Sequence, residues 1–423
     1  MIFPRYKLYD TNHLDYLKSV LGGTLSTAPR LDFEGSFANL TGLRGALPLS
    51  RARVGLYLGL KYFLGEKKKV LLSPFTIFDA INMVVCAGGE PVFCDCESRY
   101  SPHIDLATLE ASYAEGVGAV IITHYHTPNP YIKQIADWCK QKNIILIEDC
   151  AISLGGSVEG EAVGSFGDMS FFSFGLMKFI SVYYGGALWV RDERRREKIA
   201  SEVHDWGDMG EKDMRPYFLK GIRFSLLLGR FVFESFTFWL FKYAYLWDIK
   251  WLVDLSNNVL KSDCKTKLPS HYQRNPNAFQ VNEFVRQLPL TQESQKQRLH
   301  NASQRYNNLA KSPHLHPLAK PSEGDTFLVF PIVLKQNNRQ EIVRKILQNN
   351  FDVAINYYKN CALLPCFAKY HKPLPNLEYY TQHLIILPVH PAVPSDYINK
   401  MDKCLVEILD LARPPSVSVR SRR

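Results

Sequence analysis

The chain has 423 residues, with 46% hydrophobic and 22% charged, which excludes a disordered protein and allows one large core plus a smaller domain. Its formal net charge of +10 favours acidic partners such as a phosphorylated substrate or an anionic membrane face. No basic run carries the interleaved aromatics of a single-strand binder, so nucleic acid is not expected, and the opening MIFPRYKLYD has no apolar signal-peptide region, so the cytoplasm is expected.

Residues 1–48 read as an N-terminal arm with few periodic signals. A large domain is assigned to 49–215. Ser50 is predicted to cap a helix over Arg51–Gly65, with Arg51 and Arg53 in its first turn. The helix dipole repels cations there by roughly 0.3–1 kcal/mol, a conflict that a bound anion removes. Exposed arginines with little cost are the other reading of the pair. Strand and helix patterns then alternate through VLLSP, PVFCD, AVIITH and IILIED, which predicts βα units on a mostly parallel sheet. His124 follows the AVIIT strand at the predicted ligand-binding edge, where it reads either as a cofactor contact or as a structural histidine.

The run Ile144–Ile147 reads as a strand buried on both faces, ending in Glu148-Asp149. Carboxylates at the C-terminal end of a parallel strand stand where open α/β sheets bind ligands, and a buried one needs a cationic partner. The stretch Asp168–Gly186 supplies a cation. It opens as an aromatic-rich strand, passes Gly175, and carries Lys178 between Met177 and Phe179. An amine among apolar neighbours has a lowered pKa and becomes a nucleophile, whereas the alternative reading is a lysine that reaches out to solvent. Pyridoxal 5'-phosphate (PLP) chemistry needs this pair: a lysine for the Schiff base and an acid at the pyridine nitrogen.

From Pro216 the chain becomes densely aromatic, and 216–265 is assigned to a helical insertion. Charges at Arg223, Arg230, Glu234, Lys242, Asp248 and Lys250 break it too often for a span, which needs about 18–20 apolar residues. Trp239, Trp247 and Trp251 among these cations predict a helix lying in a membrane interface through 217–255, or else a hairpin packed on the protein. A C-terminal small α/β domain is assigned to 266–412 and a basic tail to 413–423. The nine cysteines, odd in number and without CxxC spacing, are expected as buried thiols, with no metal site.

Five segments, in order and spacing, resemble the DegT/DnrJ/EryC1/StrS family of PLP-dependent sugar aminotransferases. They are SPFTIFDAINMVVCAGGEPVFCDC (Ser73–Cys96), HIDLATLEASYAEGVGAVIITHYH (His103–His126), IEDCA, GSFGDMSFFSFGLMKFIS, and LPVHPAVPSDYINKMDKCLVEIL (Leu387–Leu409). The resemblance implies an α/β fold of PLP-dependent transferase fold type I, aspartate aminotransferase-like, with a mostly parallel seven-stranded sheet in the large domain. It implies Lys178 as Schiff-base lysine and general base, Asp149 at the pyridine nitrogen and Ser173 on the cofactor phosphate. Phe78, or Phe75, would stack on the ring. Arg53, with Arg51, would replace the family's S-G-T phosphate contacts. Arg274 or Asn275 would reach the partner subunit's cofactor phosphate. A homodimer, a nucleotide-sugar substrate and glutamate as amino donor are implied in the same way.

Several family positions differ. Ile152 stands for a glutamine, Val182–Gly186 lacks the glutamate of T-G-E-G-G, and Asn356-Tyr357 stands for H-Y. The dehydrating members carry histidine in place of the lysine, so Lys178 favours aminotransfer. A non-catalytic relative, serving as a membrane or partner platform in polysaccharide assembly, is the alternative that the altered positions motivate.

Overall fold

The structure is a computed structural model that describes residues 1–7, 12–256, 263–355 and 358–411. The basic tail 413–423 and the Asn356-Tyr357 pair lie outside the described residues.

Seven strands form the main sheet: β1 (Leu47–Leu49), β2 (Lys69–Leu72), β3 (Glu90–Phe93), β4 (Val117–Thr123), β5 (Ile145–Asp149), β6 (Met169–Ser173) and β7 (Gly186–Val190), in the order β1-β7-β6-β5-β4-β2-β3. From β6 to β3 all neighbours are parallel, while β7 and β1 join antiparallel at one edge. The alternation along β4 explains its apolar run. Ala119 and Ile121 enter one core, with Phe172 and Leu56, whereas Val120 and Ile122 enter another, with Leu109, Ile135 and Trp138.

The N-terminal arm holds more regular structure than its sequence signals. Helices α1 (His13–Leu21) and α2 (Phe33–Thr41) start on the side chains of Asn12 and Asp32, which accept from Asp15 N–H and Gly35 N–H. Ile2 and Phe3 are buried in the C-terminal core, and Arg5 pairs with Asp352 at 2.6 Å. Helix α3 spans Ala52–Phe63 rather than Arg51–Gly65. Its N-cap is Arg51 and not Ser50, and no side chain caps it. The backbone of β7 passes so close that a Cβ on Gly186 would lie 2.5 Å from Ala52 N, so only glycine fits there. This contact fixes the start of α3 against the end of β6, because Gly186 is the register partner of Ser173.

Four helices alternate with the following strands: α4 (Phe78–Cys86), α5 (Leu106–Ser112), α6 (Ile132–Lys142) and α7 (Glu193–His204). The aromatic stretch then forms α8 (Glu211–Leu228), α9 (Arg230–Leu246, with a π-helical turn at Phe233–Thr237) and α10 (Lys250–Ser256). The long α11 (Ala278–Leu309) leads into β8 (Phe330–Val333), α12 (Arg339–Gln348), α13 (Pro375–His383), β9 (Leu384–Leu387) and α14 (Ser395–Leu411). Among the described residues no single helix is long and apolar enough to cross a membrane.

One expectation fails. Cys264 and Cys366 are joined by a disulfide, with Cα atoms 5.5 Å apart, although 102 residues separate them in sequence. Spacing along the chain could not reveal a pair made by folding. The other seven cysteines are free, and five of these are buried.

Arg305 of α11 and Asp402 of α14 form an ion pair that is 0% and 1% exposed, respectively. Asp402→Ala would leave the guanidinium buried without its anion, and is expected to cost about 3–5 kcal/mol. The double variant Arg305→Met/Asp402→Leu should recover most of that loss. Urea midpoints of the three proteins check both statements.

Candidate active site

The C-terminal ends of the parallel strands gather the candidate residues. Asp149 ends β5 and is 5% exposed. Ser173 ends β6, and the loop from Phe174 to Gly185 carries Lys178 back toward α3. Met177 and Tyr183 in this loop have φ of 65° and 66°, a left-handed backbone that a non-glycine residue adopts only under constraint. The constraint comes from α11. Gln287 accepts from Ser181 N–H and donates to Ser181 O, both at 2.9 Å, while the Gln280 amide donates to Tyr184 O. Gln280 is the N3 residue of the capping box with Asn277 that starts α11, but nothing in the sequence ties either glutamine to this loop.

Electrostatics ties the lysine to the aspartate. Burial lowers the Lys178 amine to about 8, against the pull of Asp149, and Arg53 pushes it the same way as burial. Burial raises the Asp149 carboxyl to about 6, opposed by Ala151 N–H, Lys178, His124 and Thr123. Burial and Lys178 together lower His126 to about 3. Lys178 is thus within electrostatic reach of both Asp149 and His126, although its own side chain is only half-buried. His126 was not among the sequence-predicted residues, since nothing local separates it from His124.

His124 is placed differently from the cofactor-contact reading. It is fully buried, its Nε2–H donates to Glu148 Oε2 at 2.9 Å, and its Nδ1 accepts from Asn129 N–H at 3.1 Å. Both ring nitrogens are committed to the protein. Glu148 in turn accepts from the N–H groups of Gly164, Phe166 and Gly167 at 2.7–2.8 Å. Glu148, His124 and Cys150 could bring ligand atoms within 4.8 Å of one another, but the carboxylate and imidazole are already satisfied, so the cluster holds β5 in place.

The two arginines of α3 divide. The Arg53 guanidinium pairs with Asp79 of α4 and lies 3.4 Å from Tyr184 OH. Asp79 also accepts from Lys265 Nζ at 2.7 Å, Asn82 at 2.9 Å and Tyr272 OH at 3.2 Å. Its cationic partners hold Asp79 below the usual carboxylate range against burial. Arg53 is thus engaged by an internal acid. Arg51, 3% exposed, donates to Tyr217 OH at 3.0 Å and Ser50 Oγ at 3.4 Å, and its carbon lies 4.8 Å from the Tyr272 ring centre. Its Nε is buried without a hydrogen-bond partner. An orphaned guanidinium donor at an uncapped helix start, beside Ser173, suits an anionic group such as a phosphate.

Of the two candidate stacking rings, Phe75 is absorbed into the core, 5.4–5.7 Å from Tyr125, Tyr358 and Tyr380. Phe78, half-buried, begins α4 with the Lys265 ammonium 5.4 Å from its ring centre. The Asn275 side chain donates to Val203 O and Trp206 O of its own chain, at 3.0 and 2.6 Å, and Arg274 Nε lies 3.6 Å from Asp213. Both are therefore engaged within this chain. Ile152, where the family has glutamine, is fully buried. Beside the pocket a cleft of about 1020 Å³ opens, lined by Tyr125, His126, His103, Tyr380, Phe327 and Asp325, among others. Lys178 and Asp149 do not line it.

The sheet order and a lysine-bearing loop facing a buried strand-end aspartate define an α/β protein of the PLP-dependent transferase fold type I. The DegT/DnrJ/EryC1/StrS aminotransferase family model matches residues 9–220 and 277–405, and the chain belongs to that family. Its fold matches Helicobacter pylori PseC, an aminotransferase involved in the biosynthesis of pseudoaminic acid, with TM-score 0.73, 17% identity and coverage of 96% of this chain and 98% of that one. It also matches Escherichia coli GDP-4-keto-6-deoxy-D-mannose-3-dehydratase with bound hydrated PLP, with TM-score 0.72, 17% identity and coverage of 95% and 99%. Among curated proteins, the chain is 30% identical over 198 residues to dTDP-4-dehydro-2,3,6-trideoxy-D-glucose 4-aminotransferase of Saccharopolyspora spinosa, covering 45% of this chain and 51% of that one. It is also 30% identical over 181 residues to GDP-perosamine synthase of Vibrio cholerae, covering 42% and 49%. The chain thus spans about half the length of these curated relatives.

The lowered amine gives a signed stability prediction. Burial lowers the folded Lys178 amine to about 8 from an ordinary value of 10.5, so its burial costs stability in full below pH 8. That cost disappears as the pH rises toward 10.5. Lys178→Met should therefore raise the urea midpoint of the ligand-free protein at pH 7, with a gain that shrinks between these limits. A gain that is constant with pH would contradict the assigned amine.

Proposed function

We propose that the chain is a PLP-dependent aminotransferase that moves an amino group, with glutamate as donor, onto a nucleotide-linked keto-sugar in surface polysaccharide or amino-sugar biosynthesis. The observation that carries this reading is the placement of Lys178, on the loop after β6, within electrostatic reach of Asp149 at the buried end of the neighbouring parallel strand β5. The names of the curated relatives, a dTDP-sugar 4-aminotransferase and a GDP-perosamine synthase, support the substrate class.

When bound, PLP supplies an electron-withdrawing ring that acidifies the C–H bond next to the amine being exchanged. Asp149 would hold a proton on the ring nitrogen. Its carboxyl, raised by burial, favours an ionised state once a cation faces it. Arg51, the free N–H groups at the start of α3, and Ser173 would hold the phosphate, with Phe78 against the ring. Lys178 Nζ, lowered to about 8, is poised near neutrality to take and return the migrating proton. Gln280 and Gln287 keep the loop bearing it in one conformation.

The retained lysine favours aminotransfer over dehydration. The substitutions that motivated a non-catalytic platform are parts of ordered networks: Tyr184 receives Arg53 and Gln280, and Arg51 presents a donor to the pocket. The enzyme would act as a homodimer on the cytoplasmic side.

Protein purified with PLP is expected to be yellow and to be bleached by glutamate. Lys178→Ala should lose both properties. A colourless protein indifferent to added PLP would overturn the reading. Arg51→Ala should weaken equilibrium PLP binding by about 10–100-fold while leaving the affinity for pyridoxal, which lacks the phosphate, nearly unchanged.

A further inference from the structure

We propose that the outer face of α8, α9 and α10 docks on a bilayer surface rich in anionic headgroups. This goes beyond the aminotransfer reading and does not depend on it.

The three helices have a definite inside and outside. Inward, Phe218, Phe233, Phe238, Ala244 and Leu252 are buried. Lys242 Nζ donates to Asn350 Oδ1 at 2.7 Å, and Arg344 pairs with Asp248 at 2.7 Å, so α9 and the turn after it are fastened to α12 and the residues following it. Outward, Leu226 is 60% exposed, Phe231 81%, Phe236 58%, Trp247 70% and Trp251 71%. Scattered apolar residues are ordinary on a protein surface, but five such side chains within 26 positions on one group of helices are not.

Geometry sets how this face could meet lipid. Gly229 separates α8 from α9, and the two bend by 59°. Neither helix alone is long and apolar enough to span; the bent pair together is, by length and composition, but its inward side is fastened to α12 and the residues after it, which places the pair in the plane of the interface rather than across it. Tyr243, Trp247 and Trp251 are exposed around the end of α9 and the start of α10, and such rings suit the headgroup level, apolar in body and polar at one edge.

Charge selects the kind of lipid. Between Tyr217 and Val253 there are five cations, Lys220, Arg223, Arg230, Lys242 and Lys250, and two acids. Both acids are already used: Glu234 by the Met1 amine at 3.3 Å and Asp248 by Arg344. Lys220, Arg223 and Lys250 make no ion pair among the described residues. A face with exposed indoles and unspent cations matches an anionic headgroup layer better than a second copy of itself, whose cations would repel it. The family match stops at 220 and resumes at 277, so most of this surface lies outside the matched sequence.

The full-length protein is to be sedimented with vesicles of phosphatidylcholine alone and with 30% phosphatidylglycerol. Binding to the anionic vesicles that weakens with salt is expected, together with quenching of tryptophan fluorescence by brominated lipid. The triple variant Lys220→Glu/Arg223→Glu/Lys250→Glu, all at surface positions, should lower the vesicle partition coefficient by about 100-fold or more. Phe231→Ser/Trp247→Ser/Trp251→Ser should abolish the quenching. No binding to anionic vesicles at low salt, or unchanged binding by both variants, overturns the proposal. So does a dimer that the second variant converts to monomer with its thermal midpoint retained, which would make the face a subunit interface.

Discussion

The attraction between a half-buried amine, Lys178, and a buried carboxyl, Asp149, sets the requirements for the rest of the site. Desolvation disfavours both charges, lowering Lys178 and raising Asp149, while their mutual attraction works against it. The parallel strands place the aspartate by ending β5 where the sheet opens. The loop after β6 places the lysine, at the expense of two non-glycine residues in left-handed conformation. Such a loop persists only if something else holds it. Gln280 and Gln287 do so from α11, which also carries the connection to the C-terminal layer.

The second organising feature is the start of α3. Gly186 lets β7 approach Ala52 closely, and this brings the arginines of that helix beside the lysine-bearing loop. Of the two, Arg53 lowers the Lys178 amine in the same direction as burial. Asp79 neutralises Arg53, and Lys265 and Tyr272 complete that network from the end of the aromatic region and the segment after it. Arg51 keeps an unpartnered Nε. Two arginines two positions apart thus differ in their partners: Arg53 is paired with an acid, whereas Arg51 lies among aromatic rings and hydroxyls with one donor unused. The disulfide at Cys264 lies next to Lys265, so the same short segment joins the small domain to the edge of the pocket.

Local pattern in the chain was sufficient for six of the seven strands of the main sheet, because their apolar runs are short and rich in β-branched and aromatic residues, whereas β1 fell at the end of the region read as an arm. It marked the lysine after an aromatic strand and the acid after an apolar one. It also marked the aromatic region as unlike the rest, from the density of tryptophan and phenylalanine alone. It misplaced the cap of α3, since Ser50 is a good capping residue and only the approach of β7 shows why Arg51 takes that position. It missed the two capped helices of the N-terminal arm, where Asn12 and Asp32 were the available signals.

The sequence by itself determined the family, the alternation of strands and helices in the large domain after α3, and which residue types stand at the strand ends. Each follows from periodicity or from side-chain chemistry within a few residues. Tertiary structure alone decided that His124 faces Glu148, that Asp79 takes Arg53, that Cys264 meets Cys366, and which side of the aromatic helices faces outward. These are pairings between groups 24 to 102 residues apart in the chain. A local period reports which face of an element is apolar, and says nothing about which distant polar group the fold will bring against it.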